Sequence, residues 1–168
     1  MRQQIIISGL GGQGVLFATR VIAEAALIQG HDVLTSETHG MAMRGGTVIS
    51  HVKVGPYRSP LIRSGRADLG LFMNPGNLDV HGHYLSESGR FFVNTGISGN
   101  YENMDATKIA GEIGSLVVSN LVLLGFAVAE GALFADAGVF RKAIAKTSPP
   151  RQLELNLRGF EAGLRTKG

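Results

Sequence analysis

The chain has 168 residues, 44% of them hydrophobic, long enough for one domain with a full core. Its formal charge is +3 and its Lys and Arg residues form no run of five, so the charge suits an anionic ligand or acidic partner better than nucleic acid. Cysteine is absent, which excludes disulfides, a catalytic thiol, a thiolate zinc site and any cysteine-ligated iron–sulfur cluster within this chain.

The chain opens on an apolar strand, Ile5-Ile6-Ile7-Ser8, that runs into Gly9-Leu10-Gly11-Gly12-Gln13-Gly14. Gly9, Gly11 and Gly14 fit a G-x-G-x-x-G spacing, the turn that lets backbone N–H groups approach a pyrophosphate at a helix N-terminus. Glycines also serve only to pack a first helix on a first strand, and that structural alternative stays open. Val15 to Gln29 carries the helical repeat and stops at Gly30. The strand Asp32 to Glu37 follows and ends on an acid at the distance where a dinucleotide fold holds its ribose.

Between Glu37 and the next β-branched run, Thr47 to Val54, too few residues remain for a crossover helix, so this third strand is expected antiparallel to the second. The connecting loop gathers Glu37, His39, Met41, Met43, Arg44, Gly45 and Gly46. Arg44 offers a planar fork matched to phosphate oxygens, and the methionines supply adaptable apolar surface. A plain hairpin connection with a surface arginine is the alternative.

Gly55 to Pro60 reads as a turn and Asp68 to Met73 as a buried strand. Asn74-Pro75 reads as an N-cap with proline at the first helical position, opening a short helix through His83. His81-Gly82-His83 with Asp79 reads as a solvent-exposed segment rather than a metal site. Arg90 to Asn94 is a further strand, and Thr95 to Asn103 a long exposed loop. Helices follow at Ala106 to Ile113, Leu116 to Glu130, Asp136 to Lys146 and Gln152 to Arg165, the last with Leu153, Leu157, Phe160 and Leu164 on one face.

The apolar stretch Leu116 to Ala129 is 14 residues long. That falls short of the roughly 18 needed to span a bilayer, so it reads as a buried helix. Asn120 within it must either tie the helix to a loop or reach a ligand. The glycine turn lacks the Lys-Ser/Thr end of a P-loop, and no G-x-S-x-G, H-E-x-x-H or EF-hand loop is present. The first strand begins at once without a basic leader, so a cytoplasmic location is expected. The fold expected is α/β, one three-layer Rossmann-like domain over residues 1–168, with a mixed sheet flanked by helices and a mostly helical C-terminal third.

Gly9 to Gly14, then Ser36-Glu37-Thr38-His39-Gly40-Met41-Ala42-Met43-Arg44-Gly45-Gly46, and later Asn120 to Gly125 resemble, in that order, the motifs of the gamma-type subunit of 2-oxoacid:ferredoxin oxidoreductases. The resemblance spans nearly the whole chain. Glu37-Thr38-His39-Gly40-Met41 followed by Arg44-Gly45-Gly46 is most similar to the indolepyruvate oxidoreductase beta subunit. The resemblance implies a chain without the catalytic centre, assembled with subunits that carry thiamine diphosphate and [4Fe–4S] clusters and deliver electrons to ferredoxin. The holoenzyme would convert a 2-oxoacid to acyl-coenzyme A and CO2.

By the same resemblance this chain would help form the coenzyme A site and the subunit interface. Gly9, Gly11, Gly12, Gln13 and Gly14 would accept one phosphate or pyrophosphate. Arg44, with Glu37, His39, Gly45 and Gly46 around it, would hold another. Met41 and Met43 would line the pantetheine path or a partner surface, and Asn120 is counted among the cofactor-binding candidates. No metal is expected here, and a homodimer of the isolated chain would cover an exposed interface patch. The alternative is a stand-alone NAD- or nucleotide-binding α/β protein, with Gly9 to Gly14 on the pyrophosphate and Glu37 on the ribose.

Overall fold

The computed structural model of the chain describes residues 1–39 and 46–166. Its central strand, β1 (Gln3–Leu10), is apolar on both faces because it is covered on both, with Ile5, Ile6 and Ile7 all at 0% exposure. After the glycine turn come α1 (Val15–Ile28), β2 (Val33–His39), β3 (Thr47–Val54), β4 (Ala67–Phe72) and the short α2 (Asn77–His81). They are followed by β5 (Leu85–Asn94), β6 (Glu102–Met104), α3 (Ala106–Ile113), α4 (Ser119–Ala129), α5 (Ala137–Thr147) and α6 (Leu153–Leu164). Two 3-10 turns lie at Gly82–Tyr84 and Leu116–Val118.

The sheet order is β2-β3-β1-β4-β5-β6. β3 pairs antiparallel with both β1 and β2, as the missing crossover requires, while β1, β4, β5 and β6 run parallel. The inserted β3 separates β1 from β2, and Glu37 pairs with Ser50, which in turn pairs with Ile7. Glu37 therefore stands two strand spacings from β1, about 10 Å away.

The side chains of one sheet face (Ile5, Ile7, Val52, Leu69, Leu71, Phe92) form the main core with α1, α4, α5 and α6. The opposite face carries a thinner layer, in which Ile6, Ile49, Phe72 and Val93 pack with Leu78, Tyr84 and Ile62 from α2, the 3-10 turn and the loop before β4. α4 is buried nearly all round, with Leu121, Val122, Leu123 and Leu124 at 0% exposure. It crosses α6 where glycines remove the side chains: a Cβ on Gly163 would strike the Val122 carbonyl, and one on Gly125 the Phe160 carbonyl.

Several boundaries differ from the sequence reading. Asn74 makes a local turn, accepting from the Gly76 N–H at 2.8 Å, so α2 begins at Asn77 rather than after Asn74-Pro75. The strand expected over Arg90 to Asn94 begins at Leu85. The loop expected to run through Asn103 is interrupted by β6, whose Glu102 makes a two-pronged ion pair with Arg90 at 2.9 and 2.7 Å. The helix expected from Leu116 begins with an outward-facing 3-10 turn, where Leu116 and Val117 are more than half exposed, and only from Ser119 does the buried α-helix run. Among the described residues no helix is long and apolar enough to cross a membrane.

Candidate functional site at the carboxyl end of the sheet

β1 leads into α1 on one face of the sheet and β4 into α2 on the other, so a crevice opens between the carboxyl ends of these two parallel strands. The glycine turn lies at that crevice. Gly12 and Gly14 hold φ of 91° and 77°, a left-handed backbone that glycine adopts without strain. Gly9 meets β4 so closely that a Cβ there would lie 2.8 Å from the Met73 Cβ.

The turn leaves α1 with a bare positive end. Gly14 is its N-cap and gives no side-chain cap, and the first turn holds no acid. Among the described residues the N–H groups of Gly12, Gly14, Val15 and Leu16 donate to no protein acceptor. Such a terminus accepts an anion through backbone donors and the helix dipole. Gly11 plays a different part from the one its spacing suggested, because its N–H is spent on the Gly46 carbonyl at 2.9 Å. That bond ties the glycine turn to Gly46, the residue just before β3.

A web of polar side chains fixes the turn from below. Gln13 accepts from the Leu10 N–H at 2.7 Å and donates to the Met73 carbonyl at 3.2 Å. Asn94, at the end of β5, donates to the same carbonyl at 3.0 Å and accepts from the Thr107 N–H at 3.2 Å. Asn77, 2% exposed, donates to the Ser8 hydroxyl at 2.8 Å and to the Gly9 carbonyl at 2.9 Å. Ser8 in turn lies 2.6 Å from His81 Nδ1. Burial, and secondarily the nearby His83, push the His81 imidazole below its ordinary pKa. His51 on β3 is lowered by its own burial, then by His81 and Lys53, and its Nδ1 accepts from the Ile62 N–H at 3.0 Å.

The structure brings together Gly9, Gly11, Gly12, Gln13, Gly14, Gly46 and Asn120. Asn120 takes the first of its two alternatives. Its Nδ2 donates to the Gly14 carbonyl at 3.0 Å, its Oδ1 accepts from the Leu121 N–H at 2.8 Å, and its side chain fills the space a Cβ on Gly14 would need. It braces the turn. Glu37 is exposed on the edge strand, outside the crevice. His39 ends β2, while Met41, Met43, Arg44 and Gly45 lie outside the described residues.

Ser8, Asn77 and Asn94 escaped the sequence reading. The available signal was a polar residue breaking an apolar run, as Ser8 does after Ile5-Ile6-Ile7. Of the histidines expected to be solvent-exposed, His83 is exposed and His81 half-buried, both beside the Tyr84 ring, and among the described residues no group of three potential metal ligands occurs.

Comparisons with known proteins match this architecture. The chain is 30% identical over 189 aligned positions to the indolepyruvate oxidoreductase subunit IorB of Archaeoglobus fulgidus, covering 97% of this chain and 94% of that protein. It superposes with a TM-score of 0.77 and 29% identity on the gamma subunit of a keto/oxoacid ferredoxin oxidoreductase from Geobacter sulfurreducens PCA, over 97% of this chain and 96% of the other. A 2-oxoglutarate:ferredoxin oxidoreductase from Magnetococcus marinus, solved with 2-oxoglutarate, coenzyme A and succinyl-CoA bound, shares the fold at a TM-score of 0.76 and 19% identity. That match spans 96% of this chain and 30% of the larger one. The description of the pyruvate ferredoxin/flavodoxin oxidoreductase family matches residues 4–166, and the chain belongs to that family.

Proposed function

We propose that this chain is the small subunit of a 2-oxoacid:ferredoxin oxidoreductase and supplies a phosphate-binding wall of the coenzyme A site. The observation that carries this reading is the uncapped N-terminus of α1 at the crevice, with unspent N–H donors and no acid in its first turn. Coenzyme A is anionic through its phosphates, and a helix terminus and an arginine fork are complementary to it. Arg44, two residues before Gly46 in the sequence, is assigned the second phosphate.

The thiamine diphosphate and [4Fe–4S] clusters belong to companion subunits, since this chain offers no thiolate to ligate a cluster. Decarboxylation and electron transfer would therefore take place on those chains, in the cytoplasm. This chain, acting as one domain, orients the acyl acceptor and shapes the interface. The similarity to the Archaeoglobus subunit and the Glu37 to Met41 segment favour indolepyruvate, an aromatic 2-oxoacid, as the substrate. The stand-alone dinucleotide reading is disfavoured because β3 stands between the glycine turn and the strand of Glu37.

The test uses the complex purified with its companion subunit and steady-state kinetics in both substrates. Arg44→Ala and Gly12→Asp, the latter placing a carboxylate on the exposed turn, are each expected to raise the KM for coenzyme A about tenfold, a loss of about 1.4 kcal/mol. The KM for the 2-oxoacid should stay unchanged. An unchanged coenzyme A KM in both variants would remove the phosphate role.

A further inference from the structure

Residues 53–68 carry four Lys or Arg and a single Asp, so this stretch alone equals the formal +3 of the whole chain and the remainder is balanced. The charge is gathered in one place. Most of the stretch is the loop that leaves β3 and crosses the sheet face opposite the main helical layer. The loop is largely exposed, pinned by Ile62, which is 3% exposed and donates its N–H to His51. Leu61 beside it is 54% exposed and ringed in sequence by Arg58, Arg63 and Arg66.

Lys53 lies at the root of this loop and is only 8% exposed. Among the described residues it has no carboxylate or hydrogen-bond partner. It shares the Tyr57 ring with Arg2, each cation 5.1 Å from the ring centroid. The one acid of the stretch, Asp68, is engaged by the Gln4 N–H at 2.7 Å. Burial and the field of Arg63 both press against the charged form of Lys53.

Four cations gathered on one short stretch, whose single acid is already engaged, repel one another unless a counter-charge is supplied. A transient visitor would leave that cost in place between visits, whereas a permanently bound surface removes it. Complementary charge also steers association and fixes register. Resting on the small-subunit reading above, we infer that this cationic loop is the face on which the larger companion subunit docks, through a carboxylate-bearing surface with an apolar recess for Leu61. Lys53 pairs across the sheet with Gln4, and the glycine turn begins beyond Leu10, about 20 Å along the strand. Docking here leaves the anion-binding crevice open.

The test measures association of the chain with its co-expressed companion subunit as a function of salt. R58E/R63E/R66E is expected to weaken association at least about tenfold at low salt and to flatten its salt dependence. Reversal of exposed Lys142 and Arg151, on and beside α5, should leave both unchanged. If the triple variant fails to fold by circular dichroism, Leu61→Asp and Arg63→Glu singly carry the same expectation. Unchanged affinity in a folded variant overturns the docking face. So does a variant that loses retention on heparin or inorganic phosphate columns yet assembles normally, since the loop then serves a small anion or polyanion. Failure of the unaltered chain to associate at any salt overturns the small-subunit reading itself, a result distinct from losing one face.

Discussion

The Ser8 hydroxyl meets His81 Nδ1 at 2.6 Å while Asn77 Nδ2 reaches the same hydroxyl at 2.8 Å. Asn77 Nδ2 can only donate, so the Ser8 hydroxyl accepts from it, and toward His81 the hydroxyl donates when Nδ1 is bare and accepts when Nδ1 carries a proton. Charging the imidazole makes Nδ1 a donor and leaves the hydroxyl proton to find another acceptor in a region where Ser8 is fully buried.

Stability is therefore expected to fall on acidification. The folded pKa of His81 and of His51 lies below the ordinary 6.5, so the unfolded chain binds protons first as pH drops from 6.5 toward the folded value. Over that window the unfolded state holds more protons, and unfolding free energy decreases as pH falls, by at most about 1.4 kcal/mol per pH unit for each histidine. Above 6.5 the effect vanishes. Urea midpoints between pH 5 and 8 check this, and His81→Asn, which keeps an acceptor without titrating, should shrink the slope.

Removing the donor beneath the turn has a calculable effect. Asn77→Ala leaves the Gly9 carbonyl and the Ser8 hydroxyl without their partner in a buried setting, and should cost about 2–3 kcal/mol. Chemical denaturation gives the value. A cost under 0.5 kcal/mol would mean water replaces the amide without penalty.

Gly12 and Gly14 share a left-handed backbone but not their surroundings. A Cβ on Gly12 meets nothing within 4 Å, while one on Gly14 meets the Asn120 side chain. Gly12→Ala should cost about 1–2 kcal/mol from backbone strain alone. Gly14→Ala should cost clearly more, and the excess should disappear when both alanines are measured in an Asn120→Ala background. Equal costs in the native background would remove the proposed wedge.

At the crossing of α4 and α6 the backbones touch through glycine. Gly163→Ala drives a methyl into the Val122 carbonyl, and about 3 kcal/mol or more of stability should be lost as the helices separate. Thermal unfolding reads this directly. Gly114→Ala, at a left-handed helix end with open space around it, is the milder control.

The order of elements was legible because it rests on local patterns: the apolar run of β1, the 3.6 repeat of α1, and the want of residues for a crossover before β3. β6 was not. Glu102-Asn103-Met104 has no strand-like pattern, and it joins a parallel neighbour through a loop far shorter than such connections usually need. Its strand character comes from Phe92, Val93 and Asn94 beside it. The glycine turn was visible as spacing, yet the uses of its glycines were not, because Gly11 answers to Gly46 and Gly14 to Asn120, partners set by tertiary packing. Ser8, Asn77 and Asn94 were hidden for the same reason, since an isolated polar residue says nothing of what it will face.

The groups that hold the glycine turn rigid are scattered from Ser8 to Asn120. A truncated chain ending before α4 would keep every glycine of the motif and lose the amide wedged beneath Gly14. The motif is short, but the machinery that makes it a fixed shape is most of the molecule, and no excised peptide inherits it.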